Sequence, residues 1–380
     1  MDGVILAGGS MECADMYHAS HFLSYDPFVY LEAGGKRYLA VYCLEIERAR
    51  AMSGADEVWD HDEFFDGPDA VVATAVDWLP AVAVGMARRV GVTSAVVPDW
   101  FPTACSDALR THGVTVRVDA MVVRERRRAK SATDVAAIEE ALRVTEASLE
   151  LIRARLREAR VGSDATALLD GSPLTSERLQ AEVRALWAMH RCDGMGPLIA
   201  GGAQSAAGFE LGHGPLRPAE PIVCDIFPRH LVTRFHGDMT RVFCVGVPPP
   251  ELVRAHASVC RANALGRSLV RPGIKGSEVY EAVCGLFHDE GYWTMLHDDR
   301  ADEGRVMSAA PFLGHGLGLD VHENEVGLDP SSDEPLREGD VVTVEPELYL
   351  DGWGCVRIED VVLVTGDGCR TLSRFDYELL

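Results

Sequence analysis

The stretch Ile222-Val223-Cys224-Asp225-Ile226-Phe227 places a carboxylate in the middle of an apolar run. A run of this length and composition is typical of a buried β-strand. An isolated carboxylate in such a strand is costly unless it is paired or bound to a metal ion. Asp225 is therefore the first indication that the chain holds a polar centre inside a sheet.

Four other residues further along the chain share this unusual placement. They lie at the start, inside or at the end of strand-like apolar runs, or in the glycine-rich segment 314–318, and are Asp238, His315, Glu345 and Glu359. Taken singly, each is more simply interpreted as a strand-end cap or a structural histidine. Taken together with Asp225 they indicate one shared site. Carboxylates with one imidazole suit divalent manganese, cobalt, iron or zinc, and bridging carboxylates could hold two ions.

The surrounding pattern predicts an α+β arrangement in the second half of the chain. Two strand pairs are predicted, 221–227 with 241–247 and 341–349 with 355–365. Two helices are predicted between the pairs, at 250–269 and 275–290. Strand pairs separated by helices differ from a continuous series of strand–helix–strand units.

The first 125 residues have a different pattern, that of a smaller α/β unit. Short apolar runs at 4–6, 38–42, 71–73 and 94–97 alternate with helical stretches at 74–90 and 105–112, which predicts a sheet with crossover helices. The basic run 124–130 is interpreted as a solvated connection. A helix then begins at Ser131, where Asp134 completes a capping pattern. The predicted domains are therefore 1–125 and 131–380.

The charge balance excludes several functions. The chain has 380 residues, of which 36 are basic and 59 acidic, for a formal net charge of −23. This argues against binding to nucleic acid or to an anionic membrane, because both need clustered lysine and arginine. No segment has the length of a membrane span or the pattern of a secretion signal. The ten cysteines form no Cys-x-x-Cys pair, which predicts reduced thiols in a cytoplasmic protein.

These motifs resemble those of a known family. Asp225, Asp238 in Asp-Met-Thr-Arg, His315 in Gly-His-Gly-Leu-Gly, Glu345 in Val-Glu-Pro and Glu359 in Arg-Ile-Glu-Asp look like the five-ligand set of the pita-bread metallopeptidases, family M24. That family includes methionine aminopeptidase, Xaa-Pro aminopeptidase, prolidase and creatinase. Order, spacing and local sequence match over residues 131–380. The first 125 residues resemble, less specifically, the small N-terminal domain of the creatinase and prolidase branch. The resemblance implies an α+β pita-bread catalytic domain with a smaller α/β creatinase-like domain.

The resemblance also implies a chemistry and a set of roles. Two divalent metal ions are expected, manganese first and cobalt, zinc or iron as alternatives, bound by Asp225, Asp238, His315, Glu345 and Glu359. Glu345 would also act as a catalytic proton acceptor, and His322 would be catalytic by stabilising the oxyanion. Arg357 would bind substrate or position active-site groups, with a plain salt bridge as an equal alternative. Family relatives with this N-terminal domain are often homodimers.

The sequence departs from the family around the substrate. A catalytic histidine is expected about 16 residues before Asp225, where Phe209 stands, and the nearest histidine is His213. His213 is either an offset catalytic residue or an ordinary loop histidine. Pro311 replaces a histidine of the Xaa-Pro branch, and Glu347 replaces the glycine of Glu-Pro-Gly. The metal set is thus complete while the substrate shell is altered.

The leading hypothesis is a metal-dependent hydrolase of the Xaa-Pro dipeptidase or aminopeptidase type, acting on a small peptide or amide by attack of metal-activated water. The alternative is a repurposed pita-bread enzyme acting on a non-peptide metabolite, as a creatinase-like C–N hydrolase or a lyase. A third hypothesis is a binding module without catalysis. Relatives of that kind tend to lose metal ligands, whereas all five are present here.

Overall fold

The computed structural model describes residues 1–66, 78–208, 210–299, 307–350 and 352–380. The chain divides into two compact units, Met1–Arg127 and Arg128–Leu380. The predicted strand at 71–73, the start of the predicted helix at 74–90, and Phe209 lie outside the described residues.

The N-terminal unit combines strands and helices. Its elements are β1 Asp2–Gly8, α1 Ala14–Ser20, β2 Phe28–Ala33, β3 Lys36–Val41, α2 Ile46–Met52, β4 Glu57–Asp60, α3 Glu63–Asp66, α4 Trp78–Val90, β5 Ser94–Val97, α5 Thr103–Thr111, β6 Thr115–Val118 and α6 Met121–Arg128. Six strands form one sheet in the order β4-β3-β2-β1-β5-β6. The sheet is mixed, because β1, β2 and β3 pair antiparallel while β3–β4, β1–β5 and β5–β6 are parallel.

The prediction for this unit was wrong in one respect. The sequence pattern predicted crossover helices throughout, but β1, β2 and β3 form an antiparallel meander. Strand β2, Phe28–Ala33, was missed although the Gly34-Gly35 turn follows it, and both glycines adopt positive φ, of 59° and 77°. Two glycines at positive φ are typical of a tight hairpin between antiparallel strands.

The second unit carries the remaining elements. They are α7 Ala132–Glu158, β7 Arg160–Val161, β8 Ala167–Leu169, β9 Ser172–Pro173, α8 Ser176–Met189, β10 Cys192–Asp193, β11 Leu198–Gly201, β12 Ile222–Ile226, β13 Arg229–His230, β14 Met239–Phe243, α9 Pro250–Leu269, α10 Gly276–Asp289, β15 Ser308–Ala309, β16 His315–Gly316, β17 Glu323–Gly327, β18 Val341–Val344, β19 Glu347–Leu350, β20 Gly354–Arg357, β21 Asp360–Val364 and β22 Cys369–Thr371. The predicted helix at 250–269 is confirmed, and the predicted strands at 221–227 and 241–247 pair antiparallel as β12 and β14.

Three sheets of this unit surround the polar residues identified in the sequence. Their orders are β11-β12-β14, β15-β19-β20 and β17-β16-β18-β21-β22. One large apolar core packs against them and includes Val223, Val259, Val283 and Val342. Helices α9 and α10 contribute to the same core, which fixes the sheets relative to one another.

Two predicted strands are each interrupted at a proposed ligand. The run 341–349 forms β18 and β19, which belong to different sheets, and the run 355–365 forms β20 and β21 in the same way. Pro346 has no backbone N–H and so cannot continue a ladder after Glu345. The Asn263 amide donates to the carbonyl oxygens of Val344 (2.8 Å) and Ile358 (3.4 Å), which pairs backbone groups at both breaks.

At the start of the second unit, the interpretation of the basic run is wrong and the predicted helix start is confirmed. The basic run was interpreted as solvated, but Arg128 is buried and pairs bidentately with Asp340 at 2.8 Å for both contacts. Lys130 pairs with Glu323, and both side chains are about 2% exposed. The helix start at Ser131 is confirmed by a reciprocal capping box with Asp134.

Two further features bear on expectations from the sequence. All ten cysteines lie in the described ranges and are free thiols. No helix in the described part of the chain is both long enough and apolar enough to cross a membrane.

Candidate metal centre

The five proposed ligands come from neighbouring strands and strand ends of the second unit. They are Asp225 on β12, Asp238 just before β14, His315 on β16, Glu345 just after β18 and Glu359 just before β21. Asp225 is directly opposite Thr240 in the β12–β14 ladder, which sets the two aspartates side by side. Residues up to 134 positions apart in the sequence thus converge where the sheets meet.

Distances between side-chain atoms show how closely these groups approach. The Nε2 atom of His315 lies 3.7 Å from Oδ2 of Asp238 and 3.3 Å from Oε1 of Glu345. One ligand atom each from Asp238, His315 and Glu359 lie within 4.8 Å of one another. Asp225 and Glu345 meet through Arg357, whose Nη2 and Nη1 atoms lie 3.5 and 3.6 Å from their carboxylates. The five side chains therefore form one cluster.

The cluster is electrostatically unfavourable by itself. Burial, together with Glu359, Asp225 and Glu345, raises the pKa of Asp238 well above its usual range. Burial, together with Glu345 and Asp225, raises the pKa of Glu359 well above its usual range. Burial also raises the pKa of Glu345 to about 7 and lowers the pKa of His315. Carboxylates held this closely need compensating positive charge to remain ionised, and bound cations supply it.

Unpaired oxygens give a direct test of whether a metal fits. Within the residues that the structure describes, Oδ1 of Asp238 and Oε1 of Glu359 are buried without a hydrogen-bond partner. Leaving a buried carboxylate oxygen without a partner is costly. Ionised carboxylates and a neutral imidazole are also the ligand types that divalent cations prefer. The donor set and its unpaired atoms both fit divalent metal ions.

Threonines orient the ligands through hydrogen bonds. Thr343 Oγ1 accepts the backbone N–H of His315 (2.9 Å) and donates to Oε1 of Glu345 (3.1 Å). Thr240 Oγ1 donates to Oε2 of Glu359 at 2.8 Å. Sequence reasoning missed both threonines. The signal available was their position beside proposed ligands, since Thr240 belongs to the quoted Asp-Met-Thr-Arg motif.

We expect Thr240→Val to weaken metal binding without unfolding the protein. The substitution preserves shape but removes the hydrogen bond that orients Glu359, and losing such an outer partner typically costs about 10- to 100-fold in metal affinity. Isothermal titration with manganese measures this, and Thr145→Val, a buried threonine of α7 whose hydroxyl bonds its own helix, is the control. Equal affinities of Thr240→Val and wild type would contradict the assigned role.

Arg241 is a second group that the sequence analysis missed. It is 1% exposed, and its guanidinium contacts the Asp360 carboxylate at 2.8 Å and the carbonyl oxygen of Glu359 at 2.5 Å. Asp360 also accepts hydrogen bonds from Ser373 and Tyr377. The Asp-Met-Thr-Arg and Arg-Ile-Glu-Asp motifs therefore lock together, because the last residue of one forms an ion pair with the last residue of the other.

Arg357 and Glu347 face each other across β19 and β20, where they are register partners. The Nε atom of Arg357 lies 3.3 Å from Oε2 of Glu347, so this guanidinium reaches a third carboxylate besides Asp225 and Glu345. Burial opposes the charge of Arg357, but the surrounding carboxylates raise its pKa well above the usual range. The carboxylate of Glu347, which departs from the family motif, is therefore compensated by Arg357.

The two proposed catalytic histidines lie in different surroundings. The His322 ring packs edge-on against His315, with centroids 4.4 Å apart and an interplanar angle of 87°. His213 is exposed and lines a groove of about 230 Å³, none of whose lining residues is a proposed ligand. Its backbone N–H and carbonyl pair with the Gln204 amide at 2.9 and 3.0 Å. The structure brings His322 to the cluster and gives His213 contacts elsewhere.

Curated relatives are peptidases by name. The probable dipeptidase PepE of Mycobacterium tuberculosis is 26% identical over 364 residues, which span 92% of this chain and 84% of that protein. An Xaa-Pro dipeptidase from Pyrococcus horikoshii is 30% identical over 150 residues, but these cover only 40% of this chain and 39% of that protein. The match to PepE therefore covers nearly the whole chain at lower sequence identity, whereas the match to the Xaa-Pro dipeptidase has higher identity over a shorter region.

A solved structure shares the fold over the whole length. The prolidase from Pyrococcus horikoshii OT3 aligns with a TM-score of 0.76 at 22% identity, covering 100% of this chain and 96% of that chain. This confirms the predicted α+β pita-bread fold. The family model "Metallopeptidase family M24" matches residues 136–366, which contain all five proposed ligands. The match covers more than half of the chain, and it implies that the chain binds divalent metal ions. The chain therefore belongs to metallopeptidase family M24.

Proposed function

We propose that the protein is a metal-dependent Xaa-Pro dipeptidase-like hydrolase, with manganese as the preferred metal. The observation that carries the proposal is the buried cluster in which Asp238 and Glu359 each have an oxygen without a hydrogen-bond partner. The names of the relatives support the substrate class, since one is an Xaa-Pro dipeptidase and another a probable dipeptidase. The non-peptide alternative has no comparable support.

The reaction divides between the metal site and the protein groups around it. When bound, two divalent cations would supply a water of lowered pKa and polarise the scissile carbonyl. Asp225, Asp238, His315, Glu345 and Glu359 would hold them. Glu345, whose Oε1 atom lies 3.3 Å from Nε2 of His315, would accept a proton at a carboxylate oxygen.

Two further side chains would support the reaction, one at the substrate and one at the carboxylates of the metal site. His322 would donate a hydrogen bond to the oxygen that gains charge, since its ring stands beside His315 and is exposed. Arg357 would keep the carboxylates of Asp225 and Glu345 in place through its contacts at 3.5 and 3.6 Å. We assign no catalytic step to His213, and its part in the reaction stays an open prediction.

A panel of Xaa-Pro dipeptides tests the activity. We expect the manganese-loaded protein to cleave them and to leave matched Xaa-Ala dipeptides largely intact. Glu345→Gln should lower kcat/KM at least about 10³-fold, roughly 4 kcal/mol in transition-state stabilisation, because it removes the proton acceptor and one ligand charge. The exposed acid Glu334 offers a control, Glu334→Gln. An uncut panel after loading with manganese, cobalt, zinc or iron in turn would contradict the proposal.

The remaining assignments are also proposals. We propose that the N-terminal unit is a creatinase-like auxiliary domain, with the predicted boundaries 1–125 and 131–380. We propose further that the protein is a cytoplasmic homodimer that binds neither nucleic acid nor membranes. Light scattering at micromolar concentration tests the dimer, and a monomer mass would contradict it.

A further inference from the structure

The segment between the metal ligand His315 and strand β17 is anchored by a buried ion pair. Glu323 is the first residue of β17, and its carboxylate pairs with the Lys130 ammonium. Both side chains are about 2% exposed. Lys130 lies 193 positions earlier in the sequence, at the start of the second unit, and its backbone N–H also bonds the carbonyl oxygen of Gly339 at 3.0 Å.

The other oxygen of Glu323 binds the segment itself. Oε1 accepts the backbone N–H of Leu319 at 3.1 Å, so that one carboxylate bridges Lys130 and the chain four residues earlier. Gly318 leaves space for this approach, because an added Cβ there would collide with the Glu323 carboxylate. The Glu323 side chain therefore links the end of the segment 317–323 to its backbone at Leu319, and Lys130 compensates the charge of Glu323.

The turn between the two aspartate ligands holds the opposite side of this segment. The backbone N–H of His236 donates to the carbonyl oxygen of Gly318 at 2.9 Å, and its Nδ1 atom lies 3.3 Å from the same oxygen. This turn lies between Asp225 and Asp238, which are 13 positions apart in the sequence. Segment 317–323 is thus fixed from both sides.

These contacts fix the backbone beside His322, which directly precedes Glu323 in the sequence. Its side chain is exposed, and its ring packs against His315 at 4.4 Å. Buried ion pairs are poor evidence for stability, because desolvation offsets most of the attraction, but they can specify one geometry. A catalytic group needs that precision, since a displacement of about 1 Å can cost about 100-fold in rate.

We propose that Lys130 and Glu323 are positioning residues that hold His322 over the metal centre, an inference that rests on the proposed function. Neither touches the reacting atoms. Lys130 neutralises Glu323, Glu323 fixes the backbone at Leu319, and the fixed segment orients the His322 imidazole beside His315.

A second buried ion pair in the same short segment provides a matched control. Arg128 and Asp340 have side chains 3% and 1% exposed, and Asp340 also accepts a backbone N–H, from Arg337 at 2.7 Å. The Arg128 carbonyl oxygen accepts a hydrogen bond from Nζ of Lys130 at 3.4 Å, and Arg128→Met keeps this backbone group. The double variants Lys130→Met/Glu323→Gln and Arg128→Met/Asp340→Asn each remove one pair without leaving a lone buried charge.

The two double variants are compared by kcat and KM on an Xaa-Pro dipeptide, by the manganese-induced shift in Tm, and by hydrogen–deuterium exchange of 317–323. We expect Lys130→Met/Glu323→Gln to lower kcat about 10- to 100-fold with KM changed less than about threefold. It should retain the manganese shift, and exchange in 317–323 should accelerate. Arg128→Met/Asp340→Asn should keep kcat within about threefold, and the single variant Lys130→Arg should retain most of the exchange protection, because it keeps a cation beside Glu323.

Equal losses of kcat in the two double variants, or unchanged exchange in 317–323, would overturn the positioning role. If the wild type cleaves no Xaa-Pro dipeptide, the proposed function fails separately. The exchange measurement then decides the structural claim by itself: faster exchange confined to Lys130→Met/Glu323→Gln supports it, and unchanged exchange rejects it.

Discussion

Replacing Asp238 with asparagine should abolish activity and the stabilisation by metal, while the metal-free protein remains folded. Asp238 is 3% exposed and surrounded by carboxylates, so removing its charge relieves repulsion in the metal-free protein. A ligand present at 100 times its Kd stabilises the folded state by about 2.7 kcal/mol, and Asp238→Asn should lose most of this. Thermal unfolding with and without manganese measures both effects.

The expected pattern differs from that of general damage to the fold. Asp238→Asn should unfold without metal at the same temperature as the wild type or higher, and only the metal-dependent shift should disappear. Asp333→Asn, at an exposed acid paired with Lys275, serves as the control and should keep the full shift. A wild-type response to manganese in Asp238→Asn would show that Asp238 is not a ligand.

Replacing Arg241 with methionine should destabilise the second unit by about 3–5 kcal/mol, because the buried Asp360 carboxylate loses its nearer cationic partner and keeps Arg267 at 3.6 Å. Four hydrogen bonds to backbone carbonyl oxygens, of Thr240, Glu359, Phe375 and Asp376, are lost as well. Urea unfolding at neutral pH measures the loss. Methionine retains much of the side-chain volume, so a cavity accounts for little of it.

The double variant Arg241→Met/Asp360→Asn separates charge from packing. It removes both charges, so we expect it to be more stable than Arg241→Met alone although one further residue is changed. If the double variant is less stable by the sum of the two single losses, the ion pair does not explain the effect of Arg241→Met.

The five proposed ligands could be predicted from the sequence because together they place four carboxylates and one histidine in or beside apolar runs. Asp225, Glu345 and Glu359 each lie within a run of apolar residues, and the set of them indicates a polar centre without knowledge of the fold. The interruptions at Glu345 and Glu359 were not predicted. Apolar composition continues through both, and the backbone groups at the breaks are paired by Asn263, which is 81 residues from Val344.

The buried ion pairs could not be predicted for a related reason. Arg128, Lys130 and Arg241 find their partners 212, 193 and 119 positions away, and a basic residue has no local signal that it is buried. A run of basic residues is usually solvated, so the pattern favoured the wrong interpretation for Arg128 and Lys130. Tertiary contacts alone decide whether such a basic residue is solvated or buried.

Anomalous diffraction from crystals soaked in manganese tests the central claim most directly. The described part of the chain contains a second group of potential ligands, Asp60, His61 and Asp62, so the map can discriminate between sites. We predict two peaks enclosed by Asp225, Asp238, His315, Glu345 and Glu359. A map with no peak among these five side chains, or with manganese only at Asp60–Asp62, would contradict it.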